Sequence, residues 1–209
     1  MVFLIGGAPR VGKTILARAF SRAHRISWIS TDTLEVIAGE YMSQTVWNRT
    51  HPYSVARRKL SHAQFYEQLS TTKIVSLLRA QARATFAAIS MLVESSLKDG
   101  VDYCIEGYHV DPATVEKLQK KFGTKHIRAV FLVKYDVDQF VQEVRVHAGP
   151  NDWLHQVDKK GVTFERVGKM VAQYSAFVTR EAEARNYTVV SVDKQFKKAQ
   201  AEAMRLLEK

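Results

Sequence analysis

Short apolar runs alternate along the chain with longer stretches whose apolar residues return every three or four positions. Residues 2–5 are uninterrupted Val-Phe-Leu-Ile and predict a buried strand, and Ile15, Leu16, Ala19 and Phe20 then recur at helical spacing. Residues 25–30 predict a second strand that ends at Thr31, Asp32 and Thr33, ahead of a helical segment over 34–38. Residues 39–70 follow neither period: Trp47, Tyr53, Phe65 and Tyr66 are interleaved with Arg49, Arg57, Arg58 and Lys59, and His51-Pro52 interrupts any continuous helix. This stretch predicts short helices set apart from the main alternation.

Residues 72–98 predict one long helix, with Ile74, Leu77, Leu78, Ala82, Phe86, Ile89, Leu92, Val93 and Leu97 on a single stripe. Gly100 ends it, and 101–105 form a third strand that delivers Glu106, Gly107, Tyr108 and His109 at its end. Asp111-Pro112 pairs an N-cap residue with proline at the first helical position and starts a helix to about residue 121. A fourth strand over 126–133, a helix over 137–147, a break over 148–152, a flap over 153–161, a helix over 164–185, a fifth strand over 187–192 and a helix over 193–208 complete the order.

Strands separated by crossover helices predict an α/β fold of three layers, a five-stranded parallel sheet covered on both faces. Strand order does not follow from periodicity. One domain spanning 1–209 accounts for the length, with 39–70 as a helical acceptor cap and 148–163 as a lid.

Charge adds a preference for anionic partners. The chain carries a formal +10 and a pI near 9.7, so phosphate-rich ligands are drawn in by the whole-molecule field. A phosphate-bearing small molecule and a polynucleotide both answer to that field, and the scattered basic residues favour the small molecule. The one cysteine, Cys104, lies in an apolar run and reads as a buried strand residue suited to a reducing cytoplasm. No apolar run reaches the roughly 18 residues that span a bilayer, which argues for no membrane partner and a cytoplasmic location. The seven histidines show no metal-ligand spacing, and no Gly-x-Ser-x-Gly elbow occurs, which argues against zinc and serine hydrolase chemistry.

The chemistry concentrates between the first strand and helix. Gly7, Ala8, Pro9, Arg10, Val11, Gly12, Lys13 and Thr14 match G-x-x-x-x-G-K-[ST], the loop whose backbone N–H groups converge on phosphate oxygens. Gly7 and Gly12 permit the tight path, Lys13 can place its ammonium between the two terminal phosphates of a nucleotide, and the Thr14 hydroxyl can ligate the Mg²⁺ that bridges them. Ligands bind at the carboxyl ends of parallel strands, which puts Asp32 and Glu106 on the same edge as this loop. Asp32 is the candidate to accept the proton of an acceptor hydroxyl, although Asp32 with Glu35 also matches a helix capping box. Glu106 is the candidate to organise Mg²⁺ and touch substrate. His109 and Arg83 are further candidates for substrate contact, and Arg145 for neutralising the transferred phosphoryl group.

The phosphate loop, Ser30-Thr31-Asp32 and Ile105-Glu106-Gly107-Tyr108-His109 together resemble the small P-loop kinases of the nucleoside-monophosphate-kinase type. Within them the resemblance is to the 2-phosphoglycerate kinase-like branch, with weaker similarity to zeta toxin and chloramphenicol phosphotransferase. It implies ATP, Mg²⁺, a phosphotransferase acting on an alcohol group oriented by Asp32, and a lid over the phosphates. The expectation is a kinase for a small anionic metabolite. A polynucleotide or nucleotide kinase and a non-catalytic nucleotide-dependent switch are the alternatives.

Overall fold

The computed structural model describes residues 1–147, 152–154 and 162–209. Strands β1 (Val2–Gly7), β2 (Ser27–Ser30), β3 (Tyr103–Glu106), β4 (Ile127–Val133) and β5 (Val189–Ser191) form one parallel sheet in the order β2-β3-β1-β4-β5. The expected α/β architecture with five parallel strands is observed. Strand β1 is central and buried at every position, as befits a strand covered on both faces. The edge strands are four and three residues long, which limits the unpaired backbone a sheet edge exposes.

The helices in chain order are α1 (Lys13–His24), α2 (Thr31–Glu40), α3 (Gln44–Thr50), α4 (Pro52–Arg58), α5 (His62–Gln68), α6 (Thr71–Ala82), α7 (Phe86–Lys98), α8 (Pro112–Phe122), α9 (Val137–His147), α10 (Val162–Glu183) and α11 (Phe196–Glu208). Asp111 caps α8 by accepting a bond from the Thr114 N–H at 2.7 Å, with Pro112 in the first turn as the sequence predicts. Helix α10 buries Phe164, Val167, Met170, Val171, Tyr174, Phe177 and Val178, and the Tyr174 hydroxyl donates to the Tyr108 carbonyl at 3.1 Å. That bond ties the segment after β3 to the main helical layer.

Two boundaries differ from expectation in ways that matter for the site. The single helix expected over 72–98 is two helices joined by a 3₁₀ turn, Arg83–Thr85, because α6 packs on α10 and α4 whereas α7 packs on β1 and β3. Different partners pull the halves onto different axes. Helix α2 begins at Thr31 rather than after Thr33, capped by the Ser30 side chain, which accepts from the Asp32 N–H at 3.2 Å. Asp32 is therefore inside the first helical turn, and its carboxylate is not the cap.

Within 39–70 the short helices expected there are present as α3, α4 and α5. Trp47 stacks on His51 at 3.7 Å, and Phe65 is wholly buried, so both serve packing. The expected lid, 148–163, lies outside the described residues apart from Asp152, Trp153, Leu154, Val162 and Thr163. Trp153 stacks on His62 at 4.2 Å and lies parallel to Tyr66 at 5.7 Å.

Candidate active site

The phosphate loop leaves β1 under a steric constraint imposed by β4. Gly7 pairs with Leu132, its φ is +125°, and a Cβ there would stand 2.0 Å from the Leu132 carbonyl oxygen. Only glycine fits that approach. The loop then turns through Arg10 at φ 64° and through Gly12, which sits at the N-terminus of α1 with φ 86°. Backbone amides of this turn and the first turn of α1 have no side-chain cap. They are the donors that the sequence pattern reserves for phosphate oxygens.

Lys13 and Glu106 are buried together beneath the loop, 7% and 3% exposed. Lys13 Nζ donates to the Ala8 carbonyl at 2.6 Å, and the Thr14 hydroxyl donates to Glu106 Oε1 at 2.8 Å. Burial lowers the pKa of Lys13, against the opposing pull of Glu106 and then Asp32. Burial likewise raises that of Glu106, against Lys13 and the Thr14 hydroxyl. Register explains the meeting: Glu106 lies beside Ile5 on one side and Ser30 on the other, so the ends of β1, β2 and β3 converge on one spot.

A hydroxyl and a carboxylate oxygen side by side are hard donors suited to Mg²⁺. Among the described residues no three His, Cys, Asp or Glu side chains come together as a metal-binding set. Mg²⁺ is usually held by one or two protein oxygens together with substrate phosphates and water, and Thr14 and Glu106 offer donors of that kind.

Two cavities meet over the loop. The first, of 540 Å³, is lined by Arg10, Gly12, Lys13, Thr14, Ile15, Phe140, Glu143, Val144 and Asp152. The second, of 290 Å³, has walls that include Arg10, Asp32, Glu35, Tyr53, Tyr66, Gln81, Tyr108 and Trp153. Arg10 belongs to both, and its guanidinium pairs with Asp152 at 2.5 Å. Asp32, 71% exposed, stands on the second cavity's wall.

Behind that wall lies a buried polar chain. Gly107 has φ +152°, and a Cβ there would stand 1.7 Å from Thr31 Oγ1, so Thr31 is pressed against the segment after β3. Thr31 Oγ1 lies 2.8 Å from His109 Nδ1, and His109 Nε2 lies 3.3 Å from Glu35 Oε1. The pattern is satisfied with the proton on Nε2, so that Nδ1 accepts from Thr31 and Nε2 donates to Glu35. Gln81 Nε2 donates to Glu35 Oε1 at 2.8 Å, and Gln81 Oε1 accepts from the Ser54 N–H at 2.9 Å.

The structure brings together Gly7 to Thr14, Asp32 and Glu106, and leaves Arg83 and Arg145 off the walls of both cavities. His109 has no exposed surface and stands behind the cavity wall, its Nε2 3.3 Å from Glu35 and its Nδ1 3.8 Å from Asp32. Arg83, in the 3₁₀ turn, is exposed and absent from the walls to which Leu78 and Gln81 of α6 belong. Arg79 lies 3.9 Å over the Phe177 ring instead. Arg145 is exposed on α9 and is not on the wall of either cavity, whereas Phe140, Glu143 and Val144 face the first.

Glu35, Gln81, Tyr53, Tyr108 and the junction role of Arg10 escape sequence reasoning. Glu35 carried a usable signal, because it lies three residues after Asp32 and so shares its helix face.

These features define a P-loop fold of the nucleoside-monophosphate-kinase type, with a phosphate cleft and a side cavity at the carboxyl edge of the sheet. Among solved structures the chain is similar to a gluconokinase from Sinorhizobium meliloti 1021, with a TM-score of 0.57, 13% identity, and coverage of 99% of this chain and 91% of that one. It is similar also to a sugar kinase from Janibacter sp. HTCC2649, with a TM-score of 0.55, 10% identity, and coverage of 99% and 94%. At such identities the likeness shows the fold. No family model matches the sequence, and no curated protein matches it. No described helix is long and apolar enough to cross a membrane.

Proposed function

We propose that this protein is an ATP- and Mg²⁺-dependent kinase that transfers the γ-phosphoryl group to a hydroxyl of a small molecule seated in the second cavity. The observation that carries the reading is the junction at Arg10: a cleft containing Lys13 and Thr14 opens beside a smaller cavity with Asp32 on its wall. Phosphoryl transfer asks for that adjacency more than for covalent chemistry, since positioning and neutralisation supply most of the rate. The likeness to structures described as a gluconokinase and a sugar kinase supports the same reading.

In this scheme the loop amides and Lys13 bind the β- and γ-phosphates, with the Lys13 ammonium exchanging the Ala8 carbonyl for phosphate oxygens. Thr14 and Glu106 would hold Mg²⁺, which would supply charge neutralisation for the phosphate oxygens. Asp32 orients the acceptor hydroxyl and takes its proton. The acceptor oxygen bonds to the γ-phosphorus as the bond to the β,γ-bridging oxygen breaks, leaving ADP and a phosphate ester. Arg10, at the junction of the cavities, stands where a cation can follow the moving group, a role for which Arg145 is poorly placed.

The test is to incubate the protein with γ-labelled ATP, Mg²⁺ and a pool of hydroxylated metabolites, beside Asp32→Asn. Label should enter a small molecule, and the variant should lose about 10²- to 10⁴-fold in rate, the span a positioned general base supplies. Labelling that persists in Asp32→Asn would remove the base from the scheme.

A further inference from the structure

Charge on the walls of the second cavity runs opposite to that of the whole chain. The chain carries +10, yet among the described residues the charged ones lining this cavity are Asp32, Glu35 and Arg10, and Arg10 is engaged by Asp152. The anionic acceptor expected from net charge would meet two carboxylates at close range among the described residues. Like charges brought together at close range repel more strongly than a distant, salt-screened field attracts.

The polar groups on these walls also have a direction. Glu35 is 12% exposed, and its Oε1 is approached by Gln81 at 2.8 Å, by His109 at 3.3 Å and by His51 at 3.6 Å. Among the described residues no hydrogen bond reaches its Oε2, and the Asp32 carboxylate, 3.8 Å from His109, acts electrostatically on Lys13 as well. Both carboxylates can only accept, so they call for hydroxyl or ammonium donors on the ligand. Tyr53, Tyr66, Tyr108 and Trp153 contribute aromatic surface to the walls, of a kind that packs against the C–H groups of a saturated ring. A volume of 290 Å³ lies at the small end of ligand pockets and suits one such ring.

We propose that the acceptor is an uncharged or amine-bearing polyhydroxylated ring of monosaccharide size. Glu35 selects it, accepting hydrogen bonds from its hydroxyl or ammonium groups and repelling carboxylate and phosphate groups. The inference rests on the kinase reading and deepens it. Gln81 and the buried His109 hold Glu35 in place, so its charge is presented in a fixed direction rather than swept through solvent.

The experiment offers the protein γ-labelled ATP and Mg²⁺ with glucose, glucosamine and myo-inositol, and in parallel with gluconate, glucuronate, glucose 6-phosphate and a short oligonucleotide. Acceptor binding is measured alongside, on protein saturated with a non-hydrolysable ATP analogue. An uncharged or amine-bearing ring should be phosphorylated with kcat/KM at least about 100-fold above its carboxylated counterpart. Glu35→Gln should shrink that ratio by at least about tenfold through KM for the acceptor, with KM for ATP unchanged. A ratio left unchanged by Glu35→Gln would overturn the role of Glu35. Preferential labelling of an anionic sugar or of the oligonucleotide, still dependent on Asp32, would overturn the inference and leave the kinase reading standing. If no compound is labelled or bound, both fall. The wild-type panel decides the charge preference even if the variant folds poorly.

Discussion

The two cavities that meet at Arg10 are built in opposite ways. The floor of the first is made by eight consecutive residues and by the ends of strands already in register, with α9 and Asp152 completing its wall, and in the proposed kinase much of its phosphate recognition would come from backbone N–H groups. The acceptor side is made by side chains from the loop, α2, α4, α5, α6, the segment after β3, Trp153 and α10. A backbone cradle fixed by a glycine against Leu132 has almost no freedom to vary. Side chains on separate helices can be exchanged one at a time. Such a division lets one fold keep its phosphate chemistry while its acceptor changes.

The largest effect expected from this contrast is at Lys13. Lys13→Met should cost at least about 10³-fold in phosphoryl transfer, since it removes the buried ammonium of the phosphate loop, which the proposed mechanism assigns to the phosphates. Its effect on folding should run the other way. Burial lowers the folded pKa of Lys13, so the contribution of this group to stability rises with pH between that value and 10.5, and at neutral pH the buried ammonium is a cost. A melt of the variant at neutral pH should therefore match or exceed wild type. A clear fall in Tm would mean that the bond to the Ala8 carbonyl is structural, and the contrast between a functional cradle and a structural scaffold would fail.

Glu106 should show the same division, with a pH signature. Its folded pKa is raised from 4.5, chiefly by burial. A carboxyl raised in this way contributes stability that is fully present below 4.5 and is lost as pH rises through the folded value. Glu106→Gln should consequently flatten the decline of Tm above pH 4.5 and raise Tm at neutral pH, by about 2–4 °C for each kcal/mol relieved in a chain of this size. Mg²⁺-dependent turnover should fall about 10²-fold or more in the same variant. Thermal melts across the pH range, beside a Mg²⁺ titration of activity, check both halves.

Legibility in the sequence divides along the same line. Strand β1, the loop, Asp32 and Glu106 could be read because each is either a contiguous motif or a charged residue at the end of an apolar run. The break at Arg83–Thr85 could not, because the stripe from Ile74 to Leu97 is apolar throughout and the helices change partners without a proline or glycine to mark it. Glu35 was hidden by its match to a capping box, a role that belongs to Ser30. His109 sits at the catalytic edge in sequence, but whether a side chain there faces ligand or core depends on how α2 and the segment after β3 close on each other. Thr31 and Gly107 close tightly enough to bury it.

The smallest effect is expected at Arg145, and it sharpens the comparison by its smallness. Arg145 is exposed on α9, beside Val144, which faces the phosphate cleft while Arg145 does not. A surface substitution of this kind usually changes stability by no more than about 0.5 kcal/mol, and Arg145→Ala should leave kcat/KM within about threefold of wild type. An arginine that neutralises the transferred phosphoryl group would instead be worth about 10³-fold or more. Steady-state kinetics therefore separates the two by a wide margin. A large loss in Arg145→Ala would mean that α9 rotates toward the cleft when nucleotide binds, and that the phosphate side, like the acceptor side, is completed by a mobile side chain. A loss confined to threefold keeps neutralisation with Lys13 and Arg10, on the loop whose backbone already fixes the phosphates.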